Sequence, residues 1–203
     1  MTRVLPFRVV PHGWHIALAI AILAIPAVLA GVWASLLILG LACGILWFFR
    51  DPQRLPPDAG ILSPADGRVS VTRIEDERVR VGVFMNVTDV HVNRAPISGK
   101  ITHVTHRQGS HRPAFSKDSA HNEQVRIGIE GSESIEVILI AGAFARRIFP
   151  YVTPGETVER GDRISHIAFG SRVDVICPPA VEIGDVRYRR GERVRAGESV
   201  LVD

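Results

Sequence analysis

The sequence has few cysteines and few lysines. Its two cysteines, Cys43 and Cys177, lie far apart and belong to no metal-type cluster, so neither a disulfide framework nor a metal site is indicated. Lys100 and Lys117 are the only lysines among 24 basic residues, so arginine dominates the basic residues behind the formal net charge of +3. Arginine binds phosphate and carboxylate groups bidentately. This composition fits an anionic lipid or membrane surface, and equally an arginine-rich genome without functional meaning.

Long runs of basic residues interleaved with aromatic residues are also missing. Aromatic residues make up only 6% of the chain. Nucleic-acid-binding proteins typically combine a basic surface with a recognisable motif or stacking side chains. We therefore expect no nucleic acid among the partners of this protein.

Charged residues are absent from one long segment near the N-terminus. Residues 14–49 contain no Asp, Glu, Lys or Arg and are almost wholly apolar. The run is too long for the apolar region of a signal peptide, and longer than the roughly 20 residues that one bilayer crossing needs. Pro26 and Gly31 indicate a break, which predicts two short helices joined as a hairpin; a single long tilted span is the alternative. Either way, we expect residues 1–50 to form a membrane anchor.

Arginines flank this apolar segment on both sides. Arg3 and Arg8 precede it, and Arg50 and Arg54 follow it. Because cationic residues beside membrane segments favour the cytoplasmic side, a hairpin would place both of its ends there. Three tryptophans suit the membrane interface: Trp14, Trp33 and Trp47. The sequence predicts a protein of the cell membrane whose remaining chain lies on the cytoplasmic side.

Long segments of helical periodicity are missing after residue 50. The pattern changes to short β-type runs separated by Gly, Pro and Asp. Six of these runs are predicted strands: residues 68–74, 78–85, 100–106, 125–129, 135–141 and 173–177. Residues 51–203 are therefore predicted to form a mainly β head domain with few or short helices.

The predicted head contains an internal near-repeat. Residues 155–162 read Gly-Glu-Thr-Val-Glu-Arg-Gly-Asp, and residues 191–198 read Gly-Glu-Arg-Val-Arg-Ala-Gly-Glu. Together with the Pro/Gly turns at 63–67 and 95–99, they resemble the turns of biotinyl- and lipoyl-type modules, whose glycines adopt conformations closed to other residues. The predicted fold is thus a lipoyl/biotinyl-like β-sandwich behind a hydrophobic helical anchor. Neither repeat carries a lysine for a cofactor, and a non-enzymatic membrane adaptor is one interpretation.

Three stretches of the head carry residues that suit chemistry. Asp66 lies in a Pro/Gly turn, where a carboxylate is either a turn former or a catalytic acid. His91 and Asn93 alternate on one face of an extended segment. Their side chains are either solvated or converge with a neighbouring arginine on a small anionic group. Gly170 and Ser171 interrupt a run that otherwise has the composition of a strand.

The other histidines show no consistent metal spacing. His103 and His106 are three residues apart, which places them on opposite faces of a strand. With His111 and His121, we interpret them as surface or structural residues. His166 lies close to Ser171 in sequence and merits a mutational control.

Five motifs occur in the order that they have in one known family. They are residues 48–52, 63–69, 89–96, 141–148 and 169–174. Behind a hydrophobic segment, and over residues 47–178, they resemble the short, archaeal-type form of phosphatidylserine decarboxylase.

This resemblance implies a proenzyme that cuts its own backbone between Gly170 and Ser171. The products would be a β chain, residues 1–170, and an α chain, residues 171–203, that stay associated. Ser171 would become a covalent pyruvoyl cofactor, which forms a Schiff base with membrane phosphatidylserine and releases CO2 to give phosphatidylethanolamine. The ether-linked lipid archaetidylserine is an alternative substrate, because the catalytic residues need only recognise the phosphoserine head. Whether the protein forms homo-oligomers stays open.

The roles of the family's site residues transfer by motif. Asp66 matches the acidic member of the self-cleavage group, His91 the histidine of substrate and proton transfer, and Ser171 the pyruvoyl precursor. Longer members carry a second histidine three positions after the first, assigned to self-cleavage, where this chain has Arg94. Either His91 serves both steps or another group supplies the base for the cut.

Overall fold

The computed structural model describes residues 8–27, 31–109, 122–142, 147–167 and 171–203. The chain divides into two compact units, of which the first ends at Gln53 and the second spans Arg54–Asp203. The division lies close to residue 50, where the sequence predicts the change from helix to strand.

The first unit is helical. It contains α1 (Pro11–Ile22), α2 (Ala24–Ala27) and α3 (Val32–Phe48), and α1 packs against α3. Gly31, with φ of +113°, directly precedes α3, and residues 28–30, on which most of the predicted break falls, lie outside the described part of the chain. Among the described residues, no helix combines the length and apolar character that a membrane crossing requires.

Two short strands join the ends of this helical unit. β1 (Arg8–Val9) pairs antiparallel with β2 (Arg50–Asp51), and the Val10 N–H donates to the Phe49 carbonyl at 3.0 Å. The chain therefore leaves the helical segment beside the point at which it enters.

The second unit is built from strands, which confirms the predicted β head. Its strands are β3 (Ile61–Leu62), β4 (Gly67–Glu75), β5 (Arg78–Met85), β6 (Val92–Arg94), β7 (Gly99–Arg107), β8 (Gln124–Glu130), β9 (Ser134–Ile140), β10 (Ile148–Pro150), β11 (Thr157–Val158), β12 (Arg163–Ile167), β13 (Ser171–Ile176), β14 (Arg193–Val194) and β15 (Val200–Val202). The six predicted strands agree with β4, β5, β7, β8, β9 and β13 to within two residues at each end. In the described part of this unit, the helical structure is one 3-10 turn at Ile183–Asp185.

The largest sheet has eight antiparallel strands in the order β11-β7-β8-β9-β13-β5-β4-β14. A three-stranded sheet, β10-β12-β6, and the pair β15-β3 complete the unit. Ser171 at the start of β13 is in register with Met85 at the end of β5, and β4 begins beside that same end of β5. We call this edge of the sheet, at which β13 begins, the Ser171 edge.

Strand β13 is buried on both faces. Ser171 lies on the same face as Val173 and Val175, which belong to the main core together with residues of β5 and β9. The opposite face of β13 presents Arg172 and Asp174, near a small separate cluster formed by Ile138, Ile140 and Ile176.

The two copies of the near-repeat pair with the sheet in the same way. In the first, Gly155 N–H donates to the Ile101 carbonyl at 2.8 Å; in the second, Gly191 N–H donates to the Val69 carbonyl at 2.7 Å. The short strands β11 and β14, one in each copy, pair with the starts of β7 and β4. All four repeat glycines have positive φ angles, between +69° and +96°, which confirms their predicted role: Gly155, Gly161, Gly191 and Gly197.

Candidate active site

Ser171 is a buried polar residue at the start of β13. Its side chain faces the main core, it is fully buried, and its Oγ has no hydrogen-bond partner among the described residues. Leaving a buried hydroxyl unpaired costs about 1–3 kcal/mol, so such a group calls for an explanation. Gly170, the other half of the predicted cleavage bond, lies outside the described residues.

His91 lies in the segment between β5 and β6 and is almost completely buried. Its Nδ1 is 2.9 Å from the backbone carbonyl oxygen of Asp89. Because a carbonyl can only accept a hydrogen bond, Nδ1 carries a proton and the neutral ring has its lone pair on Nε2. The histidine is therefore held in the tautomer whose Nε2 can act as a base.

Two chain connections bring His91 towards Ser171. The His91 carbonyl accepts a hydrogen bond from Ile167 N–H at 3.2 Å, and Ile167 precedes Ser171 by four residues, which span at most about 14 Å. Met85, the register partner of Ser171, precedes His91 by six residues. These two connections limit how far His91 can lie from the Ser171 edge.

Asp66 immediately precedes β4 at the Ser171 edge. Gly67, with φ of +145°, allows the backbone to approach β5 closely, since a Cβ there would lie 2.1 Å from the Phe84 carbonyl oxygen. The strand spacing places Gly67 about 10 Å from Ser171, with Met85 between them. The structure therefore places Asp66 and Ser171 at one edge of the sheet, and His91 is tied to the chain before Ser171 through Ile167.

Both oxygens of the Asp66 carboxylate are engaged. Oδ1 accepts from Ala196 N–H and Oδ2 from the Arg54 guanidinium, each at 2.8 Å. Burial raises the pKa of Asp66 above its usual value, Arg54 and the Ala196 hydrogen bond oppose that effect, and the Asp89 charge adds to it. In the equivalent turn of the first repeat, Ser98 Oγ accepts a hydrogen bond from the backbone at 2.9 Å. The turn-forming interpretation thus accounts for one oxygen of Asp66 and not for its ion pair with Arg54.

Arg94 occupies the position of the second histidine in longer family members. It is buried, and its Nη1 donates to the Gly161 carbonyl at 2.8 Å. Its aliphatic stem lies against Gly197, where an added Cβ would meet Arg94 Cδ at 2.9 Å. Arg94 therefore contacts one glycine in each of the two repeat turns.

Asn93 is fully buried on β6, and its Nδ2 donates to Ser165 Oγ at 2.9 Å. The alternative in which the side chains of this segment are solvated is therefore wrong, because His91, Asn93 and Arg94 are all buried.

Comparison with known proteins identifies the family of this chain. The model of the phosphatidylserine decarboxylase family matches residues 42–202. The chain belongs to the phosphatidylserine decarboxylase family. The predicted family and the predicted decarboxylase class are thereby confirmed.

Relatives within the family cover most of this chain. A protein of Halobacterium salinarum, provisionally named an archaetidylserine decarboxylase proenzyme, is 55% identical over 194 residues, which are 94% of this chain and 96% of the relative. The phosphatidylserine decarboxylase proenzyme of Thermobifida fusca is 52% identical over 171 residues, which are 81% of this chain and 75% of the relative. Two relatives of similar identity to this chain are thus named for two different lipids.

Sequence reasoning missed one residue of this candidate site, Asp89. Its carbonyl fixes His91, and its buried carboxylate accepts from Asn86 N–H and from Arg193, both at 2.9 Å. The Asn-x-x-Asp spacing is typical of a turn closed by an Asp side chain, and it could have indicated this role.

The remaining histidines divide into buried and exposed ones. His166 is buried on β12, with its Nδ1 2.7 Å from the Tyr151 hydroxyl and its ring stacked on Phe149 at 4.5 Å. His103 and His106 are exposed on β7 and bind Glu136 and Glu123, respectively, as the surface interpretation predicts. His111 and His121 lie outside the described residues.

Proposed function

We propose that this protein removes CO2 from the serine headgroup of a membrane phospholipid after cutting its own chain between Gly170 and Ser171. The observation that carries the proposal is the buried Ser171 Oγ, which has no hydrogen-bond partner among the described residues. A hydroxyl that must attack the preceding carbonyl cannot be committed to another acceptor. The relatives' names include the word proenzyme, which fits a chain that matures by cleavage.

The proposed cut uses groups of the chain itself. Ser171 Oγ attacks the Gly170 carbonyl carbon, its proton passes to a base, and the peptide C–N bond is replaced by an ester while the freed amine takes up a proton. Elimination then releases Gly170 as a carboxylate and leaves a dehydroalanine, whose hydrolysis releases ammonia. His91 is our candidate base, because its Nε2 carries the lone pair and the position of a second histidine holds Arg94.

Residue 171 suits the pyruvoyl group that this family implies. It begins β13, it is fully buried, and apolar neighbours such as Met85 and Val173 exclude water. The pyruvoyl group would supply an electrophilic carbonyl and an electron sink for decarboxylation. His91 would carry at Nε2 the proton that the substrate carbon requires after the loss of CO2.

We further propose that the second unit is a lipoyl/biotinyl-like β-sandwich. The two repeat turns use the same backbone hydrogen bonds to the starts of β4 and β7, which supports a duplicated module of this kind.

The helical unit is proposed to anchor the protein in the cell membrane. It exposes many large apolar side chains, among them Trp14, Trp33 and Leu37. Arg50 lies over the Trp47 ring at 4.1 Å, a combination suited to the lipid headgroup region. The pairing of β1 with β2 keeps the two ends of the segment together, which supports one cytoplasmic side for both.

Intact-mass measurement tests the cleavage. We expect the purified protein to contain a fragment of residues 171–203 with a blocked N-terminus, and Ser171→Ala to remain uncut and inactive. Ser70→Ala is the matched control, because that serine lies on β4 and donates to the Gly82 carbonyl. A wild-type protein that stays one inactive chain would favour the membrane-adaptor interpretation.

Archaetidylserine is a second candidate substrate, and one observation favours it. The Halobacterium salinarum relative, whose name specifies this lipid, is 55% identical over 96% of its own length. CO2 release from vesicles that contain either the diacyl or the ether-linked serine lipid at equal mole fraction decides between the two. A preference for the diacyl lipid would contradict the archaetidylserine assignment.

A further inference from the structure

The face of β13 opposite to Ser171 carries a buried charged network that the proposed chemistry does not use. Asp174 is fully buried, and Arg172 Nε and Nη2 donate to its two oxygens at 2.8 and 3.0 Å. From β5, Arg80 Nε also donates to Asp174, at 2.7 Å. Arg80 Nη1 continues the network to Glu75 at 2.7 Å. Both arginines are less than 10% exposed.

The neighbouring strand is shaped to admit this carboxylate. A Cβ on Gly82 of β5 would lie 2.5 Å from Asp174 Oδ1, so only glycine leaves room for it. Burial alone would lower the pKa of Arg80, but the Asp174 and Glu75 carboxylates raise it above its usual value. Arg80 and Asp174 therefore form a charged and fixed link between β5 and β13.

Cleavage before Ser171 creates a mechanical problem at the start of β13. The cut removes the covalent connection on the N-terminal side, and the release of ammonia removes the backbone N–H of residue 171. Among the described residues, residue 171 has a register partner on one side, Met85, whereas Arg172 is in register with Phe84 and Ile140 on its two sides. Chain ends open at low free energy, so the new end is prone to fray.

We propose that Arg172 is a positioning residue: its ion pair with Asp174, anchored to Arg80 on β5, holds the start of β13 in register after the cut and so keeps residue 171 at the Ser171 edge. The inference rests on the proposed cleavage at Ser171. Fraying of the first two residues would pull the Arg172 guanidinium away from Asp174, and separating a buried ion pair is strongly unfavourable. Arg172 is also the first residue whose backbone the cleavage chemistry leaves complete.

Arg172→Met tests this role with little risk to the fold, because Asp174 keeps its bonds to Arg80. Arg172→Lys retains the charge and serves as the rescue variant. Arg73→Met is the matched control, since Arg73 binds Glu75 at the outer end of the same network and its side chain is 55% exposed. Each variant is made in the self-cleaving full chain and in the uncut Ser171→Ala chain, and amide hydrogen exchange of residues 172–175 is measured in detergent.

In the cut protein, we expect Arg172→Met to raise exchange at residues 172–175 by at least about tenfold, because both hydrogen bonds from Arg172 to the Asp174 carboxylate are lost at a chain end. The kcat per cut chain should fall while KM changes little, Arg172→Lys should restore part of both readouts, and Arg73→Met should match the wild type. In the uncut chains, the three variants should exchange alike. If Arg172→Met does not fold, Arg172→Lys is compared with Arg73→Met, with a smaller rise expected in the cut protein alone.

Two results would overturn the proposal. Exchange that stays at the wild-type level in the cut Arg172 variants would show that the ion pair does not hold the new end. Exchange that rises equally in cut and uncut chains would make Arg172 a general strand contact. A wild-type chain that is never cut at residue 171 would instead overturn the proposed function, and the inference with it.

Discussion

At the scale of single residues, the three predicted site residues are held in different ways. Ser171 Oγ has no partner among the described residues, His91 is oriented by a backbone carbonyl, and Asp66 binds Arg54 and Ala196. These environments fit the proposed roles of Ser171 as nucleophile and His91 as base, and they make the Asp66 carboxylate part of an ion pair. Each of them can therefore be tested by a different measurement.

His91→Ala is expected to lose most of its decarboxylation, by about 10²–10⁴-fold, the usual contribution of a general acid or base. Because His91 serves both steps in our proposal, the cut should also slow, and CO2 release is therefore expressed per cut chain. His103→Ala is the control, since that side chain is exposed and binds Glu136. Full turnover by cut His91→Ala protein would remove His91 from the site.

The pKa of Asp66 predicts a pH dependence of stability. Burial raises this pKa above its ordinary value of 3.8, so the folded state keeps the proton to a higher pH than the unfolded state does. The free energy of unfolding that Asp66 contributes should therefore fall as the pH rises from 3.8 through the raised pKa. Denaturant unfolding of the wild type and Asp66→Asn at a series of pH values measures the difference, which should change in this window and level off above it. A difference that is constant with pH would contradict the assignment.

At the scale of elements, β13 carries two different groups of residues on its two faces. Its core face carries Ser171, and its other face carries the ion pair of Arg172 and Asp174. In our proposals, the same strand presents the reacting residue and holds its own end in register. The neighbouring β5 contributes to both faces, through Met85 and Arg80.

Gly82→Ala should destabilise this element by about 1–3 kcal/mol, the usual cost of overpacking a buried site. The added methyl would lie 2.5 Å from Asp174 Oδ1 and 3.1 Å from Val71 Cβ. Asp174 Oδ1 is held by Arg172, and Val71 Cβ is attached directly to the backbone, so neither atom can move aside easily. Gly184→Ala is the control, because a Cβ there meets nothing within 4 Å. Denaturant unfolding compares the two variants, and equal stabilities would show that β5 and β13 can separate to admit the methyl.

At the scale of the whole molecule, the division after Gln53 separates the apolar helices from the strands that carry the site residues. Every site residue discussed above belongs to Arg54–Asp203, including Arg54, the partner of Asp66. The chemistry and the membrane attachment are therefore expected to be separable.

A chain that begins at Arg54 should keep its β-type circular dichroism and its self-cleavage but should no longer sediment with lipid vesicles. Its turnover of vesicle lipid should fall, whereas turnover of a dispersed short-chain serine phospholipid should match the full chain. The full chain, measured under the same conditions, is the control. Continued sedimentation of the shortened chain with vesicles would place a second membrane-binding surface on the head.

Much of the fold could be predicted because its signals are local. Alternating apolar residues located β4, β5, β7, β8 and β9, and the glycines of the near-repeat indicated turns that do have positive φ angles. The short strands β11 and β14 were not predicted as strands, because two residues carry no measurable periodicity. The start of β13 was also placed two residues late, since serine and arginine do not resemble a buried strand.

The sequence by itself determined the family, the β character of the head and the candidate residues, because motifs and alternation depend on neighbouring positions. Only the tertiary structure decided how those residues are used. It paired Arg80 with Asp174, 94 residues apart, set His91 on the Asp89 carbonyl and directed Arg94 to Gly161. Such contacts depend on the register between strands that are distant in sequence, and no local pattern encodes that register.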